Sequence, residues 1–251
     1  MTIGVFDSGV GGLWILKHLR ENYPRLDYIF VADQAHVPYG TKTIEEIRNF
    51  SENISKFLIE QSCELIVVAC NTASGASLNY LRQKFPEIIF VGMEPALKPA
   101  VLNSQTKKVG ILATQTTFQG ELYGGLKEKY GGYAQIFEDP CLGLVSQIEK
   151  GELDSLSTEK ILQKAISPML ENGVDEIVLG CTHYPFVIPL IRKIVGEGVE
   201  IIDPTEAIVR RVGELIRDKN GSGQMQIFTT GDPEGLKPFL AENTNVAKIE
   251  I

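Results

Sequence analysis

The feature that most constrains the fold is an alternation of short apolar runs with amphipathic segments. The apolar runs, which are rich in β-branched residues, cover residues 3–6, 28–32, 65–70, 88–91, 109–113, 176–180 and 199–202. Several are apolar at consecutive positions, which is typical of strands that are covered on both faces. The clearest amphipathic segment, residues 43–62, carries apolar residues three and four positions apart and predicts a helix. The alternation therefore predicts an α/β protein built from right-handed βαβ units with parallel sheets.

The chain also contains two similar copies of one unit. Residues 3–6 resemble residues 109–112, and residues 66–72 resemble residues 177–183. Each copy places a cysteine and then polar residues at the end of a predicted strand. We therefore predict two α/β domains, residues 1–94 with 208–251 and residues 95–207, because Pro-containing junctions lie near 94–95 and 203–204. Strand-like segments at 225–228 and 247–251 could complete the first domain or extend the second, and we favour the first.

Composition and charge exclude several classes of protein. The 24 Lys and Arg residues against 32 Asp and Glu give a net charge of −8 without a basic run, so we expect no nucleic-acid partner. Residues 65–70, the longest apolar run, fall far short of the ~18 residues of a membrane helix. The first seven residues do not resemble a signal peptide. We expect a cytoplasmic protein with reduced thiols and no membrane contact.

Two of the four cysteines are candidates for chemistry. Cys70 and Cys181 each follow a predicted strand and precede polar residues at a predicted helix start. A helix N-terminus stabilises a thiolate, which makes the thiol a usable base or nucleophile. His183 lies two residues after Cys181 and could orient or activate it. We interpret Cys63, at a helix end, and Cys141, at the expected start of a helix, as buried structural residues, and the cysteine spacing fits no metal site.

Other polar residues at strand ends are weaker candidates. Asp7 and Ser8 precede a glycine-rich turn that could hold an anion, although Trp14 breaks the dinucleotide-binding pattern. The turn over residues 38–41 could equally cap the following helix, with Thr41 or Thr43 as its N-cap. The further candidates are Pro38, Tyr39, Gly40, Asn71, Thr72, Thr114, Thr117, Glu149 and Thr182. Each also has an ordinary structural interpretation, as a helix cap or an exposed acid.

Taken together, these residues suggest chemistry at a carbon acid. Two thiols on opposite walls of a cleft between the domains suit removal of an α-proton from one face and its return to the other. Hydroxyl, amide and helix N-terminal groups can hold carboxylates and stabilise carbanion-like charge without Lys or Arg. Asp7 and His183 are plausible tuners of the two thiol protonation states.

The strings that carry these residues are similar to those of the glutamate racemases. They cover residues 4–12, 37–41, 68–73, 179–185 and 229–233, so the resemblance runs through nearly the whole chain. Gln34, His36, Thr116 and Leu142 depart from the family pattern. The resemblance implies two flavodoxin-like domains related by a pseudo-twofold axis, with the active site in the interdomain cleft.

The resemblance also implies an activity and assigns residue roles. It implies a cofactor-independent isomerase that interconverts L- and D-glutamate for peptidoglycan synthesis. Cys70 and Cys181 match the catalytic thiols, with Asp7, His183 and Glu149 beside them. The substrate would be held by Asp7, Ser8, Pro38, Tyr39, Gly40, Asn71, Thr72, Thr114, Thr117, Thr182 and His183. The sequence leaves the oligomeric state open, with a homodimer as one alternative.

Two other functions remain alternatives. A thiol hydrolase or transferase would use Cys70 or Cys181 as nucleophile with His183 as base. A two-lobed amino-acid-binding protein would need only the cleft. Both explain one cysteine easily and the matched second cysteine poorly.

Overall fold

The structure is a computed structural model, and it describes residues 1–216 and 220–251. The strands are β1 Thr2–Asp7, β2 Asp27–Ala32, β3 Leu65–Val68, β4 Ile89–Gly92, β5 Lys108–Ala113, β6 Gln135–Asp139, β7 Glu176–Gly180, β8 Glu200–Ile202, β9 Met225–Thr229 and β10 Val246–Lys248. The helices are α1 Gly12–Asn22, α2 Ile44–Glu60, α3 Asn71–Lys84, α4 Leu97–Asn103, α5 Gln115–Gln119, α6 Glu121–Tyr130, α7 Leu144–Glu149, α8 Leu156–Glu171, α9 Ile188–Val195 and α10 Thr205–Leu215. Short 3-10 helices occupy Tyr39–Thr41, Tyr184–Val187 and Pro233–Phe239.

The chain divides into two compact units, each built on one sheet. The first unit, Met1–Met93 with Thr205–Ile251, holds a sheet in the order β10-β9-β2-β1-β3-β4. The second unit, Glu94–Pro204, holds a sheet in the order β6-β5-β7-β8. Every strand pair described is parallel, which confirms the predicted α/β class with two parallel sheets.

The central strands are buried because both of their faces are covered. All four residues of β3 and all five of β7 are buried, and β1 is buried from its second residue onward. These are the strands whose sequences are apolar at consecutive positions. They therefore place their carboxyl ends, and the residues that follow, at the edge of a rigid core.

The long amphipathic helix predicted from periodicity is α2. Thr43 is its N-cap and accepts a hydrogen bond from the Glu46 backbone N–H at 3.3 Å, while the Glu46 carboxylate accepts one from the Thr43 N–H at 2.8 Å. This capping box satisfies donors that the first helical turn leaves unpaired. Of the two caps considered, Thr43 rather than Thr41 starts the helix.

The structure differs from the sequence predictions in three places. Strand β6 was not predicted, because as an edge strand it is only partly buried and carries few apolar residues. Cys141 does not start a helix: it has a φ of 43°, and α7 begins at Leu144. Glu94 lies in the second unit and residues 205–207 lie in the first, unlike the predicted boundaries.

Within the described part of the chain, no helix combines the length and the apolar composition needed to cross a membrane.

Candidate active site

Cys70 stands where β3 ends and α3 begins. It is the N-cap of α3, and its Sγ accepts a hydrogen bond from the Ala73 backbone N–H at 3.4 Å. The thiol is buried. An N-terminal helix position adds the positive end of the helix dipole to this contact, which favours the thiolate. The sulfur therefore sits in a setting suited to proton transfer.

Asp7 and Ser8 follow the neighbouring strand β1 at the same edge of the sheet. Phe6 pairs with Val68, so the chain beyond each strand emerges side by side. The Asp7 carboxylate accepts a hydrogen bond from the Gly9 N–H at 3.0 Å and lies 3.5 Å from the Ser8 hydroxyl. Asp7 is fully buried. The first unit thus places a buried carboxylate at the strand end next to that of Cys70.

Tyr39 completes this group from the loop after β2. Burial is the largest cause that raises its pKa well above the usual value, followed by the negative charges of Asp33, Cys70 and Asp7. The 3-10 helix that begins at Tyr39 also packs against α3, the helix that Cys70 caps. Pro38 and Gly40 flank it, and the Pro38 carbonyl accepts a hydrogen bond from the Thr41 hydroxyl at 3.1 Å.

Asn71 and Thr72 open α3 and are both buried. Neither polar atom of the Asn71 amide has a hydrogen-bond partner among residues 1–216 and 220–251. A buried unpaired amide costs free energy, and native structures keep such groups where a ligand or water meets them. The Asn71 amide is therefore well suited to hold a polar substrate next to Cys70.

The second unit joins a thiol, an imidazole and a carboxylate in series. The Cys181 Sγ lies 3.8 Å from His183 Nδ1, and His183 Nε2 lies 2.5 Å from the Glu149 carboxylate. Burial lowers the pKa of His183, but the hydrogen bonds and negative charges of Cys181 and Glu149 outweigh it and raise this pKa well above the usual value. The raised pKa favours the protonated imidazole, whose Nδ1 faces the Cys181 thiol and whose Nε2 faces the Glu149 carboxylate.

Threonines surround this series at the same sheet edge. The Thr182 hydroxyl lies 3.5 Å from His183 Nδ1. Thr114 caps α5, and its hydroxyl lies 2.9 Å from that of Thr117. Ala113 pairs with Gly180, so the residues after β5 and β7 emerge together. For Thr114 the capping interpretation is thus observed, and Thr117 is its partner.

The sequence interpretation missed Asp33 and Tyr184 near these groups, and it assigned Cys141 only a structural role. The carboxylate of Asp33 binds the Tyr39 hydroxyl. Cys141 and Tyr184 lie near Cys181, whose charge raises the pKa of both after the larger effect of burial. Asp33 directly follows β2, so the strand-end argument that selects Asp7 would also have selected it.

Of the residues described, none form a group of three or more His, Cys, Asp or Glu side chains that could hold a metal ion.

Known proteins resemble this chain over nearly all of its length. A family model described as Asp/Glu/hydantoin racemase matches residues 15–212. The glutamate racemase of Pseudomonas paraeruginosa is 38% identical over 258 residues, which cover 99% of this chain and 97% of that relative. The solved Escherichia coli glutamate racemase, in complex with L-glutamate and the activator UDP-MurNAc-Ala, has a TM-score of 0.88 at 32% identity, with 99% and 97% of the two chains covered. The Francisella tularensis glutamate racemase in complex with D-glutamate has a TM-score of 0.84 at 29% identity, with 100% and 97% covered. The chain therefore belongs to the Asp/Glu/hydantoin racemase family and, within it, to the glutamate racemases.

Proposed function

We propose that this chain interconverts L- and D-glutamate with two thiols. The Cys70 thiolate removes the α-proton of D-glutamate, and the Cys181 thiol delivers a proton to the opposite face of the carbon. The roles reverse for L-glutamate. One C–H bond and one S–H bond break while one of each forms, so the reaction is balanced and needs no redox partner. The observation that carries the proposal is the equivalent placement of Cys70 and Cys181 at strand ends of the two sheets.

The two thiols are tuned by different means. Cys70 has the N-terminus of α3, with Asp7 and Tyr39 nearby. Cys181 has the His183 imidazole, which Glu149 holds from its other side. Each thiol must act as a thiolate base in one direction of racemisation and as a thiol acid in the other. Each arrangement can stabilise the thiolate and can also leave the thiol protonated.

Most of the proposed substrate contacts are neutral polar groups. The α-proton of an amino acid is very weakly acidic, so its carboxylate must be held by donors that remain fixed as charge develops. Ser8, Asn71, Thr72 and Thr182 are buried and close to the ends of strands. The proposed set also contains Pro38, Tyr39, Gly40, Thr114, Thr117, His183 and Asp7. Solved relatives carry L-glutamate in one case and D-glutamate in another, which supports both enantiomers as ligands.

The proposal extends to the setting of the reaction. The enzyme works in the cytoplasm without a cofactor and supplies D-glutamate for peptidoglycan synthesis. It binds no nucleic acid, and a homodimer is the oligomer to test. Size-exclusion chromatography with light scattering separates a dimer from a monomer directly.

Racemisation is tested with purified, reduced protein and L-glutamate in D2O, without added cofactor. We expect loss of optical activity together with entry of deuterium at Cα. Unchanged substrate with folded protein would overturn the proposal. Binding without exchange would favour an amino-acid-binding protein. A covalent adduct on Cys70 or Cys181 in the intact mass would favour a thiol hydrolase or transferase.

The two thiols are tested by Cys70→Ala and Cys181→Ala. Each variant should lose racemisation while keeping its fold, because each removes the acid or base on one face. Cys63→Ala is the matched control, since Cys63 is also a buried free cysteine and burial raises its pKa to about 12. Full turnover by either Cys70→Ala or Cys181→Ala would contradict the two-thiol scheme.

A further inference from the structure

Asp33 is a buried carboxylate that the proposed reaction does not use. It directly follows β2 and is 1% exposed. Its Oδ2 accepts a hydrogen bond from the Tyr39 hydroxyl at 2.5 Å, and its Oδ1 accepts one from the Thr230 hydroxyl at 2.6 Å. His36 Nδ1 lies 2.9 Å from Oδ1 and 3.0 Å from Oδ2. A single buried carboxylate thus gathers three side chains from two separate segments of the chain.

Thr230 belongs to the segment of residues 229–233, which has no role in the proposed reaction. Besides its bond to Asp33, its hydroxyl accepts a hydrogen bond from the Ala35 N–H at 3.1 Å, and its own N–H donates to the Ala32 carbonyl at 3.1 Å. Next to it, the Thr229 hydroxyl donates to the Gln34 side chain at 3.2 Å. These hydrogen bonds hold residues 229–230 against residues 32–35, at the start of the loop that leads to Tyr39.

Close packing reinforces these bonds. A Cβ atom at Gly231 would lie 2.8 Å from the Cβ of Gln34, so only glycine permits this approach. At the other end of the loop the His36 ring stacks on Phe50 of α2, with centroids 3.9 Å apart. The loop is thus held between the C-terminal segment on one side and α2 on the other.

Tyr39 connects this network to the candidate active site. Its hydroxyl donates a hydrogen bond to Asp33, which fixes the ring, and the 3-10 helix that begins at Tyr39 packs against α3, the helix that Cys70 caps. Pro38 and Gly40, which flank it, are proposed substrate contacts. A shift of the ring would therefore move those contacts as well, because all three residues share one tight turn.

We propose that Asp33 is a positioning residue for racemisation, which holds the turn at Pro38, Tyr39 and Gly40 in its substrate-binding geometry and makes substrate affinity depend on Thr230. This inference rests on the proposed function. Asp33 does not touch the substrate in this scheme and acts through Tyr39. The alternative is that the network only stabilises the fold.

Thr230→Val is the decisive variant, because it keeps the shape of the side chain and removes only the hydroxyl. We expect KM for both enantiomers to rise about five- to tenfold, with kcat changed by less than about twofold. The reason is that a misplaced turn weakens the binding of the ground state and of the transition state equally. Thr230→Ser should restore KM because it returns the hydroxyl. Thr244→Val is the matched control: its hydroxyl donates to the Ala241 carbonyl in the same C-terminal region.

A double variant tests the route through Tyr39. If Thr230 acts by way of Asp33 and Tyr39, then Thr230→Val combined with Tyr39→Phe should raise KM by less than the product of the two single effects. If the KM of the double variant rises by the full product of the two single effects, the inference is overturned. An unchanged KM in Thr230→Val, or an equal rise in Thr244→Val, would also overturn it.

The failure of this inference can be told apart from failure of the proposed function. Calorimetry with D-glutamate measures Kd without turnover. A wild-type protein that binds D-glutamate but does not racemise it overturns the proposed function, and the Kd of Thr230→Val then still decides the role of Asp33. A Kd equal to the wild-type value overturns the positioning role. A wild-type protein that binds no glutamate overturns both.

Discussion

At the scale of single residues, the contact between His183 and Glu149 sets the protonation state of the imidazole that faces Cys181. A neutral imidazole could only accept the thiol proton, whereas an imidazolium stabilises the thiolate. The 2.5 Å contact between His183 Nε2 and the Glu149 carboxylate favours the imidazolium, and the raised pKa of His183 agrees with it. Cys181 is therefore expected to act as a base through a charge pair.

Glu149→Gln tests this interpretation. Loss of the carboxylate should lower the pKa of His183, so that its imidazolium deprotonates at a lower pH. In the L-to-D direction, for which we propose Cys181 as the base, the alkaline limb of the kcat profile should move to lower pH, and kcat should fall by at least about tenfold. Steady-state kinetics across pH measure both effects. Glu152→Gln, which alters an exposed carboxylate nearby, is the control, and superimposed profiles would contradict the prediction.

Glu176 is a buried acid outside the candidate site, and its effect should be on stability. It is 7% exposed, and its Oε2 has no hydrogen-bond partner in the described part of the chain. Burial, followed by the charges of Asp175 and Glu200, raises its pKa to about 7. The folded protein therefore keeps this proton up to near neutral pH, whereas the unfolded chain releases it near 4.5.

The free energy of unfolding should consequently fall as pH rises from about 5 to 8, by at most about 3 kcal/mol from this group. The sign follows because the folded state binds more protons than the unfolded state in that window. Glu176→Gln should flatten the dependence and be the more stable protein at pH 8. Urea titrations at several pH values measure this, with the exposed Glu171→Gln as control. Parallel curves for wild type and Glu176→Gln would count against the assignment.

At the scale of elements, the start of α1 depends on a close approach to the sheet. A Cβ atom at Gly12 would lie 2.6 Å from the Asp7 Cβ and 2.7 Å from the Phe30 ring. Gly12→Ala should therefore cost about 1–3 kcal/mol of stability. It should also reduce racemase activity in the folded fraction, because Asp7 must shift. Denaturation combined with kinetics at a temperature where the variant is folded measures both effects.

Helix α6 provides the matched control. Gly124 lies within this helix, is exposed, and has no atom within 4 Å of an added Cβ in the described residues. Gly124→Ala should raise stability by about 0.5–1 kcal/mol, since alanine loses less backbone entropy in a helix. Activity should not change. A stable Gly12→Ala protein with normal activity would contradict the packing argument.

The elements also mark the limit of sequence interpretation. The central strands and α2 could be predicted because burial on both faces, or on one helical face, dictates their apolar pattern. Strand β6 lies at a sheet edge and has little buried surface to reveal it. The positive φ of Cys141 is a property of the turn before α7 that no neighbouring residue type signals. The apolar sequence pattern therefore predicts buried strands and helices, but it does not predict edge strands or turns.

At the scale of the whole molecule, the candidate site was only partly predictable for a related reason. Asp7 and Cys70 lie at the carboxyl ends of neighbouring strands of the first sheet, and Cys181 lies at the carboxyl end of a strand of the second sheet, so the strand-end rule alone selects all three. The role of Asp33 depends on Thr230, which lies 197 residues further along the chain. That contact exists only because β9 pairs with β2, a long-range pairing that local sequence does not encode.

The proposed function requires that residues of both units bind one substrate, and ligand-induced stabilisation tests this requirement. At about 100 times its Kd, D-glutamate should raise the free energy of unfolding by about 2.7 kcal/mol. Asn71→Ala in the first unit and Thr182→Val in the second should each reduce this increase by about 1–2 kcal/mol. Asn71→Ala should leave the free protein near wild-type stability, because the unpaired amide gives no hydrogen bond to lose.

Urea denaturation with and without D-glutamate measures the increase, and Ser155→Ala is the control. Ser155 caps α8 and is outside the proposed site, so its loss should cost about 1 kcal/mol in the free protein and leave the ligand-induced increase intact. If only Asn71→Ala, or only Thr182→Val, reduced the increase, the ligand would be held by one unit alone. That result would contradict a substrate shared by the two units, and the proposal that Cys70 and Cys181 act together on it would lose its support.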